Sequence, residues 1–583
     1  MKLKIPEINL PDKTRFNILC ILVGVLAATA SILLKTIVYY IAHFVRTAIG
    51  AGSFNFLYFT LPIIGIILTV LFVKYFVRDS LAHGITKALF AISKCDSKLP
   101  HHNNYTSIIA GALTVGFGGS VGLEAPIVLT GSSIGSSIAQ LFHLNYRTRT
   151  LLLGCGAAAA VASIFKAPIA GTIFALEVLM IEMNVASLIP LLISAVTGSL
   201  LSALFLGQNV VFGFAVFEQF NIYNSLYYVV LGLFCGIVGL YFTLVMEFVE
   251  NRFSKFVHPI TKIAVGGILL GLIIYLVPPL YGEGYESLSH LFSEHPSMLL
   301  DNSLFDNLGE DKWLVLLFLF LIILLKPFAS SLTTGAGGVG GVFGPSLFLG
   351  GISGYLFSGV VNNLELGVLS QRNFSLVGMA GVLSAIMQSP LTAIFLIAEI
   401  TGGYTLFAPI IITTTVAYIT IHRFEKYSVY TKRLANKGEL LTHDKDKAVL
   451  TLLKFEDVLE TDFKTVNVCG FLGDLIKEVS HSSRNTFIVL NDDGDFMGLI
   501  SLDDIRSIMF DEELYEQIKV DTIMHQPVGI VQKSDTAEDV MAKFNLTGAW
   551  NLPVVEGTKY IGCISRSKML TSYRDLLVEV SLK

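Results

Sequence analysis

Charge is what this chain has least of. Of its 583 residues only 15% are Asp, Glu, Lys or Arg, while 53% are hydrophobic. A soluble domain of ordinary composition carries roughly 25% charge, so one water-soluble globule is excluded for most of the length. The net charge of −5 offers no basic surface for nucleic acid. Cysteine is sparse: Cys20, Cys95, Cys155, Cys235, Cys469 and Cys563 stand apart, with no CxxC pair. That spacing argues against a disulfide framework or a zinc site. No phosphate-binding P-loop and no Ser/His or Cys/His catalytic constellation stands out. The chain therefore reads as a non-enzyme, with no metal or chemical cofactor.

What is abundant is apolar sequence. The runs Ile18–Leu34, Phe56–Val73, Leu226–Phe242, Ile263–Leu280 and Trp313–Leu325 approach or reach the length needed to cross ~30 Å of hydrocarbon as helices. Others are shorter or broken by glycine, which predicts a bundle containing partial helices. Lys2, Lys4, Lys13 and Arg15 precede the first run. The run is too long for a signal peptide and reads as a retained helix, with its basic flank, residues 1–13, in the cytoplasm. Composition changes near residue 425. The reading is a membrane domain over 14–430, a charged linker over 431–450 and a soluble cytoplasmic tail over 451–583.

The membrane part repeats itself. "GGSVGLEAPIVLTGSSIG" (118–135) lies over "GGVGGVFGPSLFLGGISG" (337–354), matching Gly118, Gly119, Gly122, Pro126, Gly131 and Gly135 with Gly337, Gly338, Gly341, Pro345, Gly350 and Gly354. "SIFKAPIAGTIFALE" (163–177) likewise lies over "AIMQSPLTAIFLIAE" (385–399), pairing Pro168 with Pro390 and Glu177 with Glu399. Two blocks in one order define repeat 1 at about 14–207 and repeat 2 at about 225–430. Duplicated halves with interrupted helices point to a transport site between them. The tail is doubled too: 485–509 and 549–570 share a strand, turn, strand and helix-start pattern, predicting two α/β modules at about 455–515 and 520–580.

The repeated unit is Gly-X-X-X-Pro where a helix begins. Proline is tolerated in a first helical turn, and the preceding glycine lets the backbone bend sharply. The amides of Leu123, Glu124, Val342 and Phe343 then have no helical partner. Such an end carries about half a positive charge and attracts anions. Two of them aimed at one point make an anion site without Lys or Arg. Between Tyr105 and Tyr146 the only charged side chain is Glu124, counting His143 as neutral. A carboxylate at the mouth of an anion site can stand where a passing ion would, and move aside when protonated or displaced.

"GLEAP" with "GVFGP" resembles the CLC chloride channels and chloride/proton exchangers, supported by "LLKPFASSLTTGAGGVGGVFGPSLFLGG" (324–351), "PPLYGEGYESL" (278–288) and "VYTKRLANKG" (429–438). The resemblance implies an all-α multi-pass membrane fold of two inverted-topology repeats, followed by a tandem CBS pair. It also implies a homodimer in a cell inner or plasma membrane, both termini cytoplasmic, moving chloride. Glu124 matches the gating glutamate, and Val342 and Phe343 match the backbone donors at the central anion site. Tyr430 in "VYTKRLA" best fits the coordinating tyrosine, with Tyr427 as the alternative.

Three departures from that pattern stand out. "AHGIT" (82–86) stands where the family has Gly-Ser-Gly-Ile-Pro, so His83 replaces the serine and Thr86 the proline, beside the amides of Gly84 and Ile85. Leu123 takes the place of a common arginine, and Ala125 that of a glycine. Val178 follows Glu177 where many exchangers carry a second, proton-transferring glutamate. Apolar Val178 removes that side-chain route and favours uncoupled flux, with exchange the alternative. Glu177 and Glu182 read as packing or surface acids. In the tail the resemblance implies adenine nucleotide (ATP or AMP) at Ser501 and Asp504, whereas the second copy has Ser565 with Lys568.

Overall fold

The computed structural model describes residues 12–49, 56–79, 81, 83–207, 220–291, 299, 312–436, 453 and 455–582. The expectations for residues 1–11, Ala82 and most of the linker lie outside them. The chain divides into two units, Met1–Leu440 and Leu441–Lys583.

The described residues of the first unit are mainly helical. Its first half runs α1 (Asp12–Ile49), α2 (Leu57–Phe72), α3 (Gly84–Lys94), α4 (Asn103–Gly116), α5 (Glu124–Leu141), α6 (Tyr146–Phe165), α7 (Pro168–Glu177) and α8 (Val185–Leu206). The second half runs α9 (Ser225–Phe253), α10 (Pro259–Leu276), α11 (Tyr285–Leu291), α12 (Lys312–Gly335), α13 (Phe343–Asn363), α14 (Gln371–Met387), α15 (Pro390–Ile400), α16 (Phe407–His422) and α17 (Val429–Asn436). Among the described residues eight helical stretches are long and apolar enough to cross a membrane. α6 and α13 are almost wholly enclosed, whereas α2 and α10 turn most of their apolar surface outward.

The aligned repeat positions do the same work in both halves. Gly131 of α5 packs against the Gly156 carbonyl of α6, where a Cβ would approach to 2.2 Å; Gly350 of α13 packs against the Gly378 carbonyl of α14, where it would approach to 2.4 Å. One turn later Gly135 and Gly354 meet the Leu152 and Phe374 carbonyls, each at 2.0 Å from a built Cβ. Water cannot drive helices together inside lipid, so close backbone approach through small residues is the main adhesive. Any larger side chain here would force α5 from α6, or α13 from α14. The breaks before α7 and α15 match as well: Lys166 and Gln388 are left-handed (φ 55° and 52°), and Pro168 and Pro390 then start the short helices.

The second unit holds two sheets of one topology. β1 (Thr465–Asn467), β2 (Thr486–Leu490) and β3 (Phe496–Ser501) form the first; β4 (Val531–Gln532), β5 (Asn551–Glu556) and β6 (Lys559–Ser565) form the second. In each, the first strand pairs parallel with the second, across a helix, and the last two are antiparallel. Apolar residues of β2 and β5 are buried on both faces, as befits central strands.

Candidate anion site

Two glycine-rich loops cross at the feet of α5 and α13. Gly118 and Gly337 turn each chain out of the preceding helix with left-handed backbone (φ 98° and 105°). Gly122 and Gly341 then form one antiparallel bridge, exchanging both N–H···O bonds at 2.8 Å. A Cβ on Gly122 would sit 2.0 Å from Oε2 of Glu124, and one on Gly341 would sit 2.7 Å from Cβ of Ala125. The bridge sets the start of α5 directly against the start of α13.

Glu124 is 1% exposed. Its Oε1 accepts from the Tyr285 hydroxyl at 2.8 Å, and its Oε2 accepts from the Gly344 amide at 3.3 Å. The acid of the first helix therefore lies on the amide end of the second. An ionised carboxylate in mid-membrane costs about 3 kcal/mol on insertion scales. Two charge-assisted hydrogen bonds, at about 1.5–3 kcal/mol each, offset that cost. Among the described residues the amides of Val342 and Phe343 donate to no group. The Phe343 ring stacks on Phe165, with centroids 5.2 Å apart, and tilts against Phe174, walling this end with apolar surface.

α3 meets the same place. A Cβ on Gly84 would lie 2.4 Å from the Ala125 carbonyl oxygen, so the first turns of α3 and α5 touch, with Ile85 buried beneath. Thr86 Oγ1 donates to the Tyr430 carbonyl at 3.1 Å, tying α3 to α17. Tyr430 is 4% exposed and its hydroxyl has no hydrogen-bond partner, although a buried phenol normally finds one. Tyr427 is partly exposed, its ring beneath the Lys426 ammonium at 5.6 Å. His83, left-handed at φ 64°, precedes α3 and lines a cavity of about 530 Å³ between α3, α9 and α17. The cations on that cavity have carboxylate partners: Lys87 with Asp79, Lys432 with Glu247, Arg433 with Glu250.

One expected donor is taken. The Leu123 amide, read from sequence as free for an anion, donates to Oε1 of Glu283 at 3.0 Å. Glu283 reaches it because Gly282 and Gly284 are both left-handed (φ 63° and 90°) and swing the residue between them inward. Sequence reasoning also passed over Tyr285 and Lys326. The available signals were an acid between two glycines and a lone lysine in the apolar run of α12. Lys326 is fully buried, with Nζ 2.8 Å from Ser120 Oγ and 3.2 Å from the Gly282 carbonyl.

The remaining candidates lie elsewhere. Val178 follows α7 and is buried. Glu177 accepts from the start of α15, and Glu182 is half-exposed, 4.0 Å from Arg147. Asp504 accepts from the Ser501 amide at 2.7 Å and pairs with His525 at 3.1 Å, so its carboxylate already caps the short helix that Ser501 begins. In the second module Ser565 Oγ accepts from the Lys568 amide at 3.2 Å.

Comparison with known proteins matches the model of the voltage-gated chloride channel family over residues 64–422 and that of the CBS domain over 520–575. The voltage-gated ClC-type chloride channel ClcB of Citrobacter koseri is 30% identical over 361 residues, 60% of this chain and 81% of that protein. A CLC-type fluoride/proton antiporter of known structure is 26% identical with a TM-score of 0.58, covering 73% of this chain and 98% of the other. A eukaryotic CLC transporter, 16% identical with a TM-score of 0.59, shares the fold over 95% of this chain and 98% of its own.

Proposed function

The chain belongs to the voltage-gated chloride channel family, and from that premise we propose that this multi-pass membrane protein moves chloride through the meeting point of α3, α5 and α13, with Glu124 as its gate. The supporting observation is the seat of Glu124. Its buried carboxylate occupies the amide end of α13, beside the uncommitted amides of Val342 and Phe343. An anion arriving at those amides competes with the carboxylate for the same partial charge. Tyr430, whose buried hydroxyl has no partner among the described residues, supplies a neutral donor. Gly84 and Ile85 add the backbone amides of α3, and His83 lines the cavity between α3, α9 and α17. The helix ends attract without holding too tightly, which permits throughput.

The primary reading is uncoupled chloride flux, because Val178 leaves no titratable side chain at the place of the second acid. The second reading is proton-coupled exchange, favoured by the likeness to the fluoride/proton antiporter. Purified protein in liposomes separates them. Under a pH gradient, a reversal potential fixed by chloride alone means uncoupled flux; a shift that follows the proton gradient means exchange. Repeating the measurement with fluoride tests which halide is carried. An absence of anion flux in all arms would sink the assignment. The protein acts as a homodimer in the inner or plasma membrane with both termini cytoplasmic, and its CBS pair takes up ATP or AMP at Ser501. Asp504 caps the Ser501 amide through Oδ2 alone, so Asp504→Ala should alter nucleotide binding in calorimetry.

A further inference from the structure

The two helix ends at the crossing are not equivalent. Glu124 rests on the amide end of α13, while Glu283 rests on that of α5. The segment carrying Glu283 is firmly fastened. Ser120 Oγ donates to the Leu280 carbonyl at 2.7 Å, the Gly282 amide donates to the Gly118 carbonyl at 3.2 Å, and buried Lys326 donates to both Ser120 Oγ and the Gly282 carbonyl. Gly284 cannot be larger: a Cβ there would lie 2.6 Å from the Phe348 ring. Glu124, by contrast, is the first residue of α5, and its carboxylate is held by the Tyr285 hydroxyl and the Gly344 amide. Glu283 is partly accessible where Glu124 is sealed.

Resting on the anion pathway proposed above, we propose that the Glu283 carboxyl holds the amide end of α5 and, when ionised, sets how tightly the pathway binds its ion. A carboxylate on an N-cap amide makes a charge-assisted bond and neutralises the positive end of that helix. A passing anion is left with the amides of α13 and α3 and the phenol of Tyr430. It also feels a second carboxylate, carried on a turn that hydrogen bonds fasten to Gly118, Ser120 and Lys326. Lys326 is bonded to the same turn through Ser120 Oγ and the Gly282 carbonyl. Glu283 is thus a positioning and affinity-setting residue, and the ion is bound more loosely than the two helix ends alone would hold it.

The test is chloride titration of the full-length protein by calorimetry, paired with liposome flux as a function of chloride. Glu283→Gln keeps an oxygen for the Leu123 amide and removes the charge, so the chloride dissociation constant should fall roughly tenfold while maximal flux drops as release slows. Glu283→Asp should retain wild-type affinity, which guards against a Gln variant that simply folds poorly. A role in packing alone would lower thermal stability and yield while leaving the dissociation constant of the folded protein unchanged, and that result overturns the proposal. Wild-type flux with unchanged affinity in Glu283→Gln defeats the Glu283 assignment only; failure of the wild type to bind or move any halide defeats the pathway itself.

Discussion

Glu177 and Glu399 cap each other's helices. Glu177, the last residue of α7, accepts from the amides of Leu391 and Thr392 at 3.2 and 2.7 Å, at the start of α15. Glu399, near the end of α15, accepts from the amides of Ile169 and Ala170 at 3.1 and 2.8 Å, at the start of α7. The two acids occupy aligned positions of the two repeats, so the exchange is the molecule's internal symmetry written in hydrogen bonds. Each carboxylate satisfies helix-end donors that lipid cannot and meets the positive end of a helix dipole.

Removing either acid should therefore cost stability rather than anion selectivity. Glu177→Ala leaves the Leu391 and Thr392 amides and the Thr392 hydroxyl without their acceptor, a loss of about 2–4 kcal/mol. Thermal unfolding in detergent should show it as a clear fall in midpoint, with Glu177→Gln milder because one oxygen remains. Glu399→Ala should behave alike. A shift in halide preference in either variant, with the midpoint unmoved, would mean that the acids face the ion and not the helices.

Tyr430→Phe should separate stability from binding. The hydroxyl makes no hydrogen bond among the described residues, so unfolding should move by less than about 1 kcal/mol. Chloride affinity should weaken several-fold, because one donor to the ion is lost. Tyr427→Phe, on a partly exposed ring, should leave affinity unchanged. If both variants bind chloride as the wild type does, Tyr430 is not a ligand.

The repeat was legible in sequence because glycine and proline do one job each here. Gly131 and Gly350 admit a neighbouring carbonyl, and Gly118 and Gly337 turn the chain. No other residue substitutes, so both copies keep the letters. The lone acid Glu124 was legible for the opposite reason: nothing apolar surrounding it explains a charge. Glu283 was not. Its role depends on a contact 160 residues away in sequence, with Leu123, and an acid between two glycines reads locally as a surface turn. The swap between Glu177 and Glu399 was half legible: alignment pairs the residues, but only the packing of α7 against α15 reveals that each serves the other.

The tail offers a chemical check on its packing. Cys563 on β6 is buried, and that burial pushes its thiol up to about 12. The Tyr560 hydroxyl lies 3.5 Å from its sulfur. A raised thiol stays protonated through pH 7–9, and the thiolate is the reactive form. Iodoacetamide at pH 8.5 should spare Cys563 and modify exposed Cys469, as read by peptide mass spectrometry, and Cys563 should label only in denaturant. Equal labelling of both under native conditions would mean that the second sheet opens freely.

Glu124→Gln tests the proposed gate directly. Glutamine matches the carboxylate in shape and can still accept from Tyr285, yet it carries no charge at any pH. If Glu124 gates as proposed, its carboxylate holds the Gly344 amide as an anion and lets go when protonated, so wild-type flux should rise as the pH falls. The variant resembles the protonated gate permanently. Its chloride flux should therefore equal or exceed the wild-type maximum and lose its pH dependence, and any proton movement coupled to chloride should vanish. Tyr285→Phe, which removes one of the two hydrogen bonds on the carboxylate, should give an intermediate result, with flux already raised at neutral pH. Liposome flux at several pH values measures all three proteins side by side. A Glu124→Gln protein that keeps the wild-type pH profile would place the titrating group elsewhere, and the neighbouring carboxylate of Glu283 would be the next to replace.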